Sequence, residues 1–435
     1  MAHARRLVPR SNSERQVSAR LLVFMALCAA PTLVPVAQGQ STLGGPIPNL
    51  TKIDQGRFAN GEKFFDLVWV PDANGFGPIF TNRGCSSCHN SPVFGGSGSN
   101  QVILFGTLNS DGSFNDMASQ GGPILQTGTI ASLSPTKRTC FIPGEVLPSN
   151  ATIISPRQTP PVFGAGLIDS IPDSTILANV TLEANSATDQ ALGIRGAANM
   201  VPDAVGNIRP GRFGFKAFLV SLLQFTSYAM THDLSVTNPA FPIEDLPQGN
   251  AISPACDIAA THPNDESGPV GPTVLTSYFP ALLAPPSPAP STPATTAGAQ
   301  VFQTIGCAQC HMPTLQTSPK ATLPVDFPAP LGSGHAEPIA VLSNQTVALY
   351  SDLLLHDMGE ELADGVPQGQ ATGSQWRTTP LWGVSHKIAF LHDGRTTSID
   401  AAIEAHGGEA SIVLQNYNSL SATDQANLLA FLESL

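Results

Sequence analysis

The sequence has few charged residues and little basic charge. Only 12% of its 435 residues are charged, about half the share of a typical soluble domain. Twenty Lys and Arg residues stand against 32 Asp and Glu residues, which gives a net charge of −12. This balance argues against a nucleic-acid partner, which requires a basic surface, and it leaves open a basic protein partner, which an acidic surface would attract. Gly and Pro, with 39 residues each, are too few for a low-complexity chain, so the composition predicts a folded, loop-rich protein.

No long apolar run occurs after the first forty residues. Five arginines precede an apolar run at 21–37, and small residues follow it. This pattern is typical of a secretory signal peptide, which we place at 1–39. The alternative is a membrane anchor, but Pro31 and Pro35 interrupt a run that is no longer than the roughly 20 residues a spanning helix needs. We therefore expect a periplasmic or otherwise exported protein with no membrane span after cleavage.

Four of the six cysteines that follow the signal peptide form two identical motifs. These are Cys85-Ser86-Ser87-Cys88-His89 and Cys307-Ala308-Gln309-Cys310-His311. C-x-x-C-H is the attachment site of c-type haem, because two thiols can add to the vinyl groups of one porphyrin. The adjacent histidine then supplies the proximal iron ligand. The sequence predicts two covalently bound c-type haems, held by Cys85, Cys88, Cys307 and Cys310, with His89 and His311 as iron ligands.

The alternatives for a C-x-x-C pair are a zinc site, a thioredoxin-like redox pair or a disulfide. The paired knuckles of zinc ribbons lie roughly 15–20 residues apart, whereas these motifs are separated by more than two hundred positions. A thioredoxin motif needs no histidine and is not expected twice. Cys140 and Cys256 remain, and in an oxidising compartment they either form a disulfide or stay as two separate buried thiols.

A proline-rich stretch between the motifs divides the chain. Four prolines alternate with Ser and Ala between Pro280 and Pro293, which predicts a semi-rigid, extended linker. We therefore expect an N-terminal haem domain at 41–283, a linker at 284–293 and a C-terminal cytochrome c-like haem domain at 294–435. Beyond the two motifs, we find no internal repeat.

The predicted fold is mostly α, with two cytochrome c-like haem domains and long loops. Helical periodicity is common in the sequence, whereas runs that alternate like a strand are few. We expect helices at 213–230 and 295–304. Near the C-terminus, two capping boxes predict further helices, one at Thr397 with Asp400 and one at Ser421 with Asp424.

Each iron needs a sixth ligand or an open position. In the C-terminal domain His406 ranks first, because it shares the apolar face of a predicted helix with Ile399 and Ile403. Met358 ranks second, and it would raise the haem potential relative to histidine. The remaining candidates in this domain are His335, His356, His386, His392 and Met312.

The N-terminal motif has no second histidine nearby, since the next one after His89 is His232. Either Met117 or Met230 completes this iron, or its sixth position stays open for a small ligand. An open iron is what peroxide chemistry requires.

Several further segments resemble one protein family. They are 157–164 and 211–216 in the middle of the chain, and 379–383, 390–395, 402–410 and 428–432 near its end. With the two motifs they resemble the exported di-haem oxidoreductases, also described as thiol oxidoreductase-like, which are relatives of the bacterial di-haem cytochrome c peroxidases. The resemblance runs from about Gly75 to the C-terminus.

In the peroxidase relatives, the residue at the position of His406 ligates the C-terminal, electron-entry haem and is commonly Met. The resemblance therefore implies a lower potential for this iron, and it implies that the N-terminal haem reacts with peroxide. The relatives carry a distal Gln and Glu after their Thr-Pro segment, whereas this chain continues differently at 165–170. The candidates for the distal acid are Glu145, Asp169 and Glu183.

The sequence thus predicts an exported di-haem c-type oxidoreductase that is peroxidase-like. A small exported donor protein would deliver electrons to the C-terminal haem, and peroxide or another small oxidant would be reduced at the N-terminal haem. Arg395 is our first candidate for neutralising a haem propionate, followed by Arg212, Lys216 and Arg377. The alternative is a non-catalytic di-haem electron-transfer cytochrome, and a third possibility is a haem-based sensor or binding subunit.

Overall fold

The architecture is known from a computed structural model, which describes residues 42–70, 76–133, 142–251 and 271–435. The predicted signal peptide and both Cys140 and Cys256 lie outside these ranges, so their predictions stay open. Within these ranges, no helix has the length and apolar character needed to cross a bilayer.

Helices make up 35% of the structure. A short 3₁₀ turn carries each cysteine pair, at Cys85–Ser87 and Cys307–Gln309. In the described part of the chain, the α-helices are α1 (Lys52–Phe65), α2 (Ile130–Leu133), α3 (Ala165–Asp169), α4 (Asp173–Asn185), α5 (Ala187–Leu192), α6 (Leu222–His232), α7 (Pro272–Leu282), α8 (Pro293–Ile305), α9 (Ile399–Glu404), α10 (Ser411–Asn418) and α11 (Ala422–Glu433).

Strands make up 16% of the structure, so the expectation of a mostly α fold is only partly supported. Most strands have two or three residues, too few for alternation to appear in the sequence. The longest pairing is antiparallel, with the strand Gln101–Leu108 between the strands Phe114–Asn115 and Ile153–Gln158. The strands are β1 (Ile79–Phe80), β2 (Gln101–Leu108), β3 (Phe114–Asn115), β4 (Gly128–Thr129), β5 (Ile153–Gln158), β6 (Met200–Pro202), β7 (Ile208–Pro210), β8 (Leu315–Gln316), β9 (Thr322–Pro324), β10 (Ala336–Pro338), β11 (Thr346–Val347), β12 (Leu355–Asp357) and β13 (Gln375–Arg377).

A close helix pair accompanies each cysteine motif. The helix that precedes the first motif, α1, packs against α7, and the helix that precedes the second, α8, packs against α11. A Cβ atom at Gly61 of α1 would lie 2.4 Å from the Phe279 backbone nitrogen, and one at Gly298 of α8 would lie 1.9 Å from the Asn427 carbonyl oxygen. Glycine is therefore required at both crossings, because any side chain would push the helices apart.

The predicted helices differ in how well they match the structure. The predictions at 295–304 and after Ser421 are confirmed by α8 and α11. Helix α9 is capped by Ser398, whose side chain accepts the Ala401 N–H at 3.2 Å, and not by Thr397. The prediction at 213–230 is right only from Leu222 onward. Residues 213–219 turn back on themselves instead, with positive φ at Gly214.

The hydrophobic core crosses the predicted domain boundary. Its largest cluster includes Phe279 and Leu282 from the first predicted domain and Phe327 and Leu349 from the second. Residues 284–292 contain no helix or strand, in keeping with a proline-rich connection, and α8 begins after them. The division into two haem domains stays a prediction.

Candidate functional site

Each cysteine motif faces its own largely apolar cavity. The cavity that we call the N-terminal cavity has a volume of about 280 Å³, and its lining includes Cys85, Cys88 and His89. The C-terminal cavity has a volume of about 240 Å³, and its lining includes Cys307, Cys310 and His311. The 3₁₀ turns bring both sulfurs of a pair, and the following imidazole, to the same cavity.

The two motif histidines are oriented in the same way. The Nδ1 atom of His89 lies 2.8 Å from the Pro160 carbonyl oxygen, and that of His311 lies 3.0 Å from the Tyr350 carbonyl oxygen. A carbonyl can only accept, so Nδ1 carries the proton and Nε2 keeps its lone pair, as in metal-ligating histidines. Desolvation lowers the pKa of both rings to about 4, which keeps them neutral.

The cysteines fit thioether attachment better than zinc binding. Desolvation raises the pKa of Cys85 and of Cys307 to about 12. Zinc binds the thiolate form, which such surroundings disfavour. All four motif cysteines are free thiols rather than disulfides. Paired neutral thiols, an oriented imidazole and an apolar cavity together fit a c-type haem.

A second histidine with the same orientation faces the C-terminal cavity. The Nδ1 atom of His406 lies 2.8 Å from the Ala402 carbonyl oxygen, which leaves Nε2 as a free acceptor. Desolvation lowers the pKa of this ring as well. Met358 lines the same cavity, so the structure brings both predicted sixth ligands to it.

His356 also lines the C-terminal cavity, but both of its ring nitrogens are occupied. Nδ1 lies 2.9 Å from a Glu409 carboxylate oxygen, and Nε2 lies 2.9 Å from an Asp352 carboxylate oxygen. Burial opposes protonation, but the Cys310 sulfur and the Asp352 carboxylate raise the pKa of His356 well above its usual value. A doubly protonated imidazole has no lone pair for iron.

The remaining predicted ligands of the C-terminal iron differ in whether they line the C-terminal cavity. His392 lines it and stacks on Trp376, with ring centroids 3.9 Å apart. His335, His386 and Met312 line neither cavity.

The N-terminal cavity has a different set of groups. Met230, which is fully buried, lines it and Met117 does not. Among the described residues, Asp233 supplies the one carboxyl group of its lining. The Thr81 hydroxyl donates to Asp233 at 3.2 Å, and desolvation raises the pKa of Asp233 to about 6. Asp233 could not be selected from sequence, because no local pattern relates it to residues 85–89.

None of the three predicted distal acids lines a cavity. Glu145 accepts the backbone N–H of Gln126 at 2.8 Å, so it holds a loop in place. Asp169 accepts the N–H of Leu222 at 3.0 Å at the start of α6. Glu183 accepts the N–H of Gly196 at 2.7 Å.

The structure places Arg395 outside the linings of both cavities, and its contact with a propionate stays a prediction. Its side chain is 42% exposed, and Nε lies 2.6 Å from an Asp393 oxygen. Its Nη1 donates to the Glu361 carbonyl at 2.9 Å. Asp393 thus provides one counter-charge for this arginine.

Of the other predicted basic residues, Lys216 lines neither cavity, and Arg212 lines the N-terminal cavity while it pairs with Asp173. Arg377 lines both cavities, and so does Lys387, which the sequence analysis missed.

An internal repeat, absent from the sequence analysis, emerges from the structure. Gly61 and Gly298 at the helix crossings are each followed four residues later by a buried phenylalanine, Phe65 and Phe302. The ring centroids of these phenylalanines lie 5.9 Å from His89 and 6.5 Å from His311, respectively. The pattern G-x-x-x-F before C-x-x-C-H is the signal that could have revealed the repeat.

A second repeated pattern follows each motif. Arg157-Gln158-Thr159-Pro160 and Arg377-Thr378-Thr379-Pro380 share the form R-x-T-P, and a glycine with positive φ comes a few residues later, at Gly164 and Gly383. The first copy supplies the carbonyl that orients His89, and both copies line the N-terminal cavity.

Three solved structures are similar to the chain at low identity. Hydrazine synthase of Kuenenia stuttgartiensis, studied under xenon pressure, is 13% identical, with a TM-score of 0.34 over 98% of this chain and 99% of that one. A MauG-like protein associated with microbial copper homeostasis is 15% identical, with a TM-score of 0.35 over 92% and 91%. A variant of the diheme peroxidase BthA from Burkholderia thailandensis E264 is 14% identical, with a TM-score of 0.33 over 87% and 85%. TM-scores this low do not establish a shared fold.

No curated protein is similar enough to count as a match. A family model does match, over residues 144–435, and it is described as "Di-haem oxidoreductase, putative peroxidase". The match spans more than half of the chain and includes the second cysteine motif, His406 and both R-x-T-P segments. The chain belongs to this di-haem oxidoreductase family.

Proposed function

We propose that the protein is an exported enzyme with two covalently bound c-type haems, which takes electrons at the C-terminal haem and reduces peroxide or another small oxidant at the N-terminal haem. The observation that carries the proposal is an asymmetry between the cavities. The C-terminal cavity has two histidines with carbonyl-bound Nδ1 atoms, His311 and His406. The N-terminal cavity has one, His89.

The residues around each cavity would hold and tune the haem. Cys85, Cys88, Cys307 and Cys310 would form the thioether bonds. A bound haem supplies electron transfer and, where its iron has an open position, activation of a small oxidant. His406 would provide a second iron ligand for the C-terminal haem, which suits electron entry; Met358 is the alternative ligand.

Reduction of an O–O bond also requires a proton at the reacting cavity. Asp233 is the carboxyl group available there, and the Thr81 hydroxyl orients it. A pKa of about 6 lets this group both hold and release a proton near neutral pH. We propose Asp233 as the proton-holding group of the N-terminal cavity.

The electron donor is proposed to be a small exported protein with a basic surface. The chain carries a net charge of −12, and such a charge speeds the approach of an oppositely charged partner at low ionic strength. Donor turnover that slows as salt is added would support this partner, and salt-independent turnover would contradict it.

The test is spectroscopy of the secreted holoprotein. We expect a pyridine haemochrome assay to give two haems per chain, and electron paramagnetic resonance (EPR) to give one high-spin and one low-spin ferric signal. Cyanide or peroxide should shift the high-spin signal only. The double variant Cys85→Ala/Cys88→Ala should lose the high-spin haem, while its matched counterpart Cys307→Ala/Cys310→Ala should lose the low-spin one.

A second candidate is a non-catalytic electron-transfer cytochrome, and the position of Met230 favours it. Met230 is fully buried and lines the same cavity as His89, so a Met ligand could fill the N-terminal iron. In that case both ferric haems would be low-spin, and Met230→Leu would convert one of them to high-spin. An N-terminal haem that is high-spin before this substitution supports the enzyme instead.

A further inference from the structure

The two cavities share a wall. Six residues line both of them, and four of the six are uncharged: Phe215, Thr379, Pro380 and Leu391. The other two are the cations Arg377 and Lys387. A group bound in either cavity therefore approaches the same two positive charges.

Neither of these cations forms an ion pair in the described part of the chain; the Asp352 carboxylate acts on Arg377 electrostatically, but it pairs with His356. Arg377 donates from Nε to the Gly214 carbonyl and from Nη1 to the Thr378 carbonyl, both at 3.1 Å. The Lys387 Nζ atom lies over the Phe390 ring at 5.8 Å and takes part in no ion pair there. Both side chains are thus left with unused hydrogen-bond donors at the wall.

The other Lys and Arg side chains near the cavities each form an ion pair with a carboxylate. Arg157 and Lys216 both pair with Asp364. Arg212 pairs with Asp173. Among the described Lys and Arg residues that line the two cavities, Arg377 and Lys387 are therefore the two without an ion pair.

Two desolvated cations side by side are unfavourable unless an anion joins them. Desolvation lowers the pKa of Arg377 to about 10, and desolvation together with the nearby Arg377 lowers that of Lys387 to about 8. The six residues of the shared wall include no carboxylate, so an anion that joins the two cations can arrive with whatever occupies the cavities.

We propose that Arg377 and Lys387 form one anion clamp that binds a propionate carboxylate from each of the two haems. The proposal rests on the proposed function, because it needs a haem in each cavity. Since one pair of charges then faces both cofactors, the clamp sets the potentials of both haems together.

The test is a redox titration of the full-length holoprotein with Lys387→Gln. A positive charge near haem stabilises the reduced iron, so its removal should shift both midpoint potentials downward. Lys387→Arg should keep both potentials, and Lys320→Gln, at an exposed lysine that lines neither cavity, should change neither. Arg377→Gln provides an independent variant, and we expect it to shift both potentials in the same direction.

A free anion such as phosphate is the other possible occupant. In that case, added phosphate at constant ionic strength would change the wild-type potentials, and this result would overturn the propionate assignment. A shift of one potential alone, or of neither, in both Lys387→Gln and Arg377→Gln would also overturn the clamp. A wild-type chain without two covalent haems would instead overturn the proposed function together with the clamp.

Discussion

The buried charges beside the N-terminal cavity allow a quantitative prediction. Asp364, whose side chain is 2% exposed, pairs with both Arg157 and Lys216, which are 7% and 0% exposed. The two cations in turn lie over the Trp376 ring, with Arg157 Cζ 4.9 Å and Lys216 Nζ 3.9 Å from its centroid. One carboxylate thus faces two buried cations and balances the charge of one of them.

The substitution Asp364→Asn keeps the shape of the side chain and removes this negative charge. Loss of one partner from a buried ion pair costs about 3–5 kcal/mol, because the remaining charge stays uncompensated. Here two cations lose their partner, so we expect at least the lower end of that range. Total stabilities are only about 5–15 kcal/mol, so the free energy of unfolding should fall by a large fraction.

Urea unfolding of the holoprotein, followed by circular dichroism, measures this loss. Glu337→Gln is the matched control, because Glu337 is 40% exposed and pairs with Arg57 at the surface. Exposed pairs contribute about 0–1 kcal/mol, so the control should stay close to wild type. If Asp364→Asn also unfolds within about 1 kcal/mol of wild type, the reasoning about buried charge is refuted.

Three further predictions address the ligands, the pH response and the helix crossings. His406→Ala should turn the low-spin ferric haem high-spin in EPR; an unchanged spectrum would favour Met358 as the ligand. Burial and a nearby carboxylate raise the pKa of Glu183 from 4.5 to about 8. Between these two pH values the native state holds a proton that the unfolded state releases, so the free energy of unfolding falls as the pH rises from 4.5 to about 8. Glu183→Gln should therefore raise the urea midpoint more at pH 8 than at pH 5, and an equal effect would contradict this. Gly298→Ala should lower the thermal midpoint, because the new Cβ atom would clash with backbone atoms of the facing helix. Gly56→Ala in α1 is the control: its Cβ atom meets nothing within 4 Å, so it should raise the midpoint slightly. Similar effects of the two substitutions would contradict the argument about the helix crossing.

The parts of the site that could be predicted from sequence are those whose geometry is local. The C-x-x-C-H motif places two thiols and an imidazole within five residues, so Cys85, Cys88 and His89 could be expected to face one cavity, as they do. His406 was found because helical periodicity relates it to Ile399 and Ile403. In both cases the residues that act together are also close in the chain.

The parts that sequence could not provide depend on long-range packing. Asp233 reaches the cavity of residues 85–89 through the end of α6, and no local pattern encodes that approach. The surroundings of Arg395 also depend on the fold, which brings its guanidinium to the Asp393 carboxylate and to the Glu361 carbonyl. Lys387 was missed because its importance lies in the lack of a partner, which only the folded chain reveals.

The carbonyl groups that orient the proximal rings have a consequence for biosynthesis. The ring of His89 is fixed by a residue 71 positions later in the chain, and that of His311 by one 39 positions later. Each pair of thiols leaves the ribosome well before the segment that sets the direction of the neighbouring imidazole. If the haems are attached as we propose, the thioether bonds would need only the motif, whereas a correctly oriented imidazole would also need the distant carbonyl; a chain that ends before Pro160 should then bind haem with an abnormal spectrum.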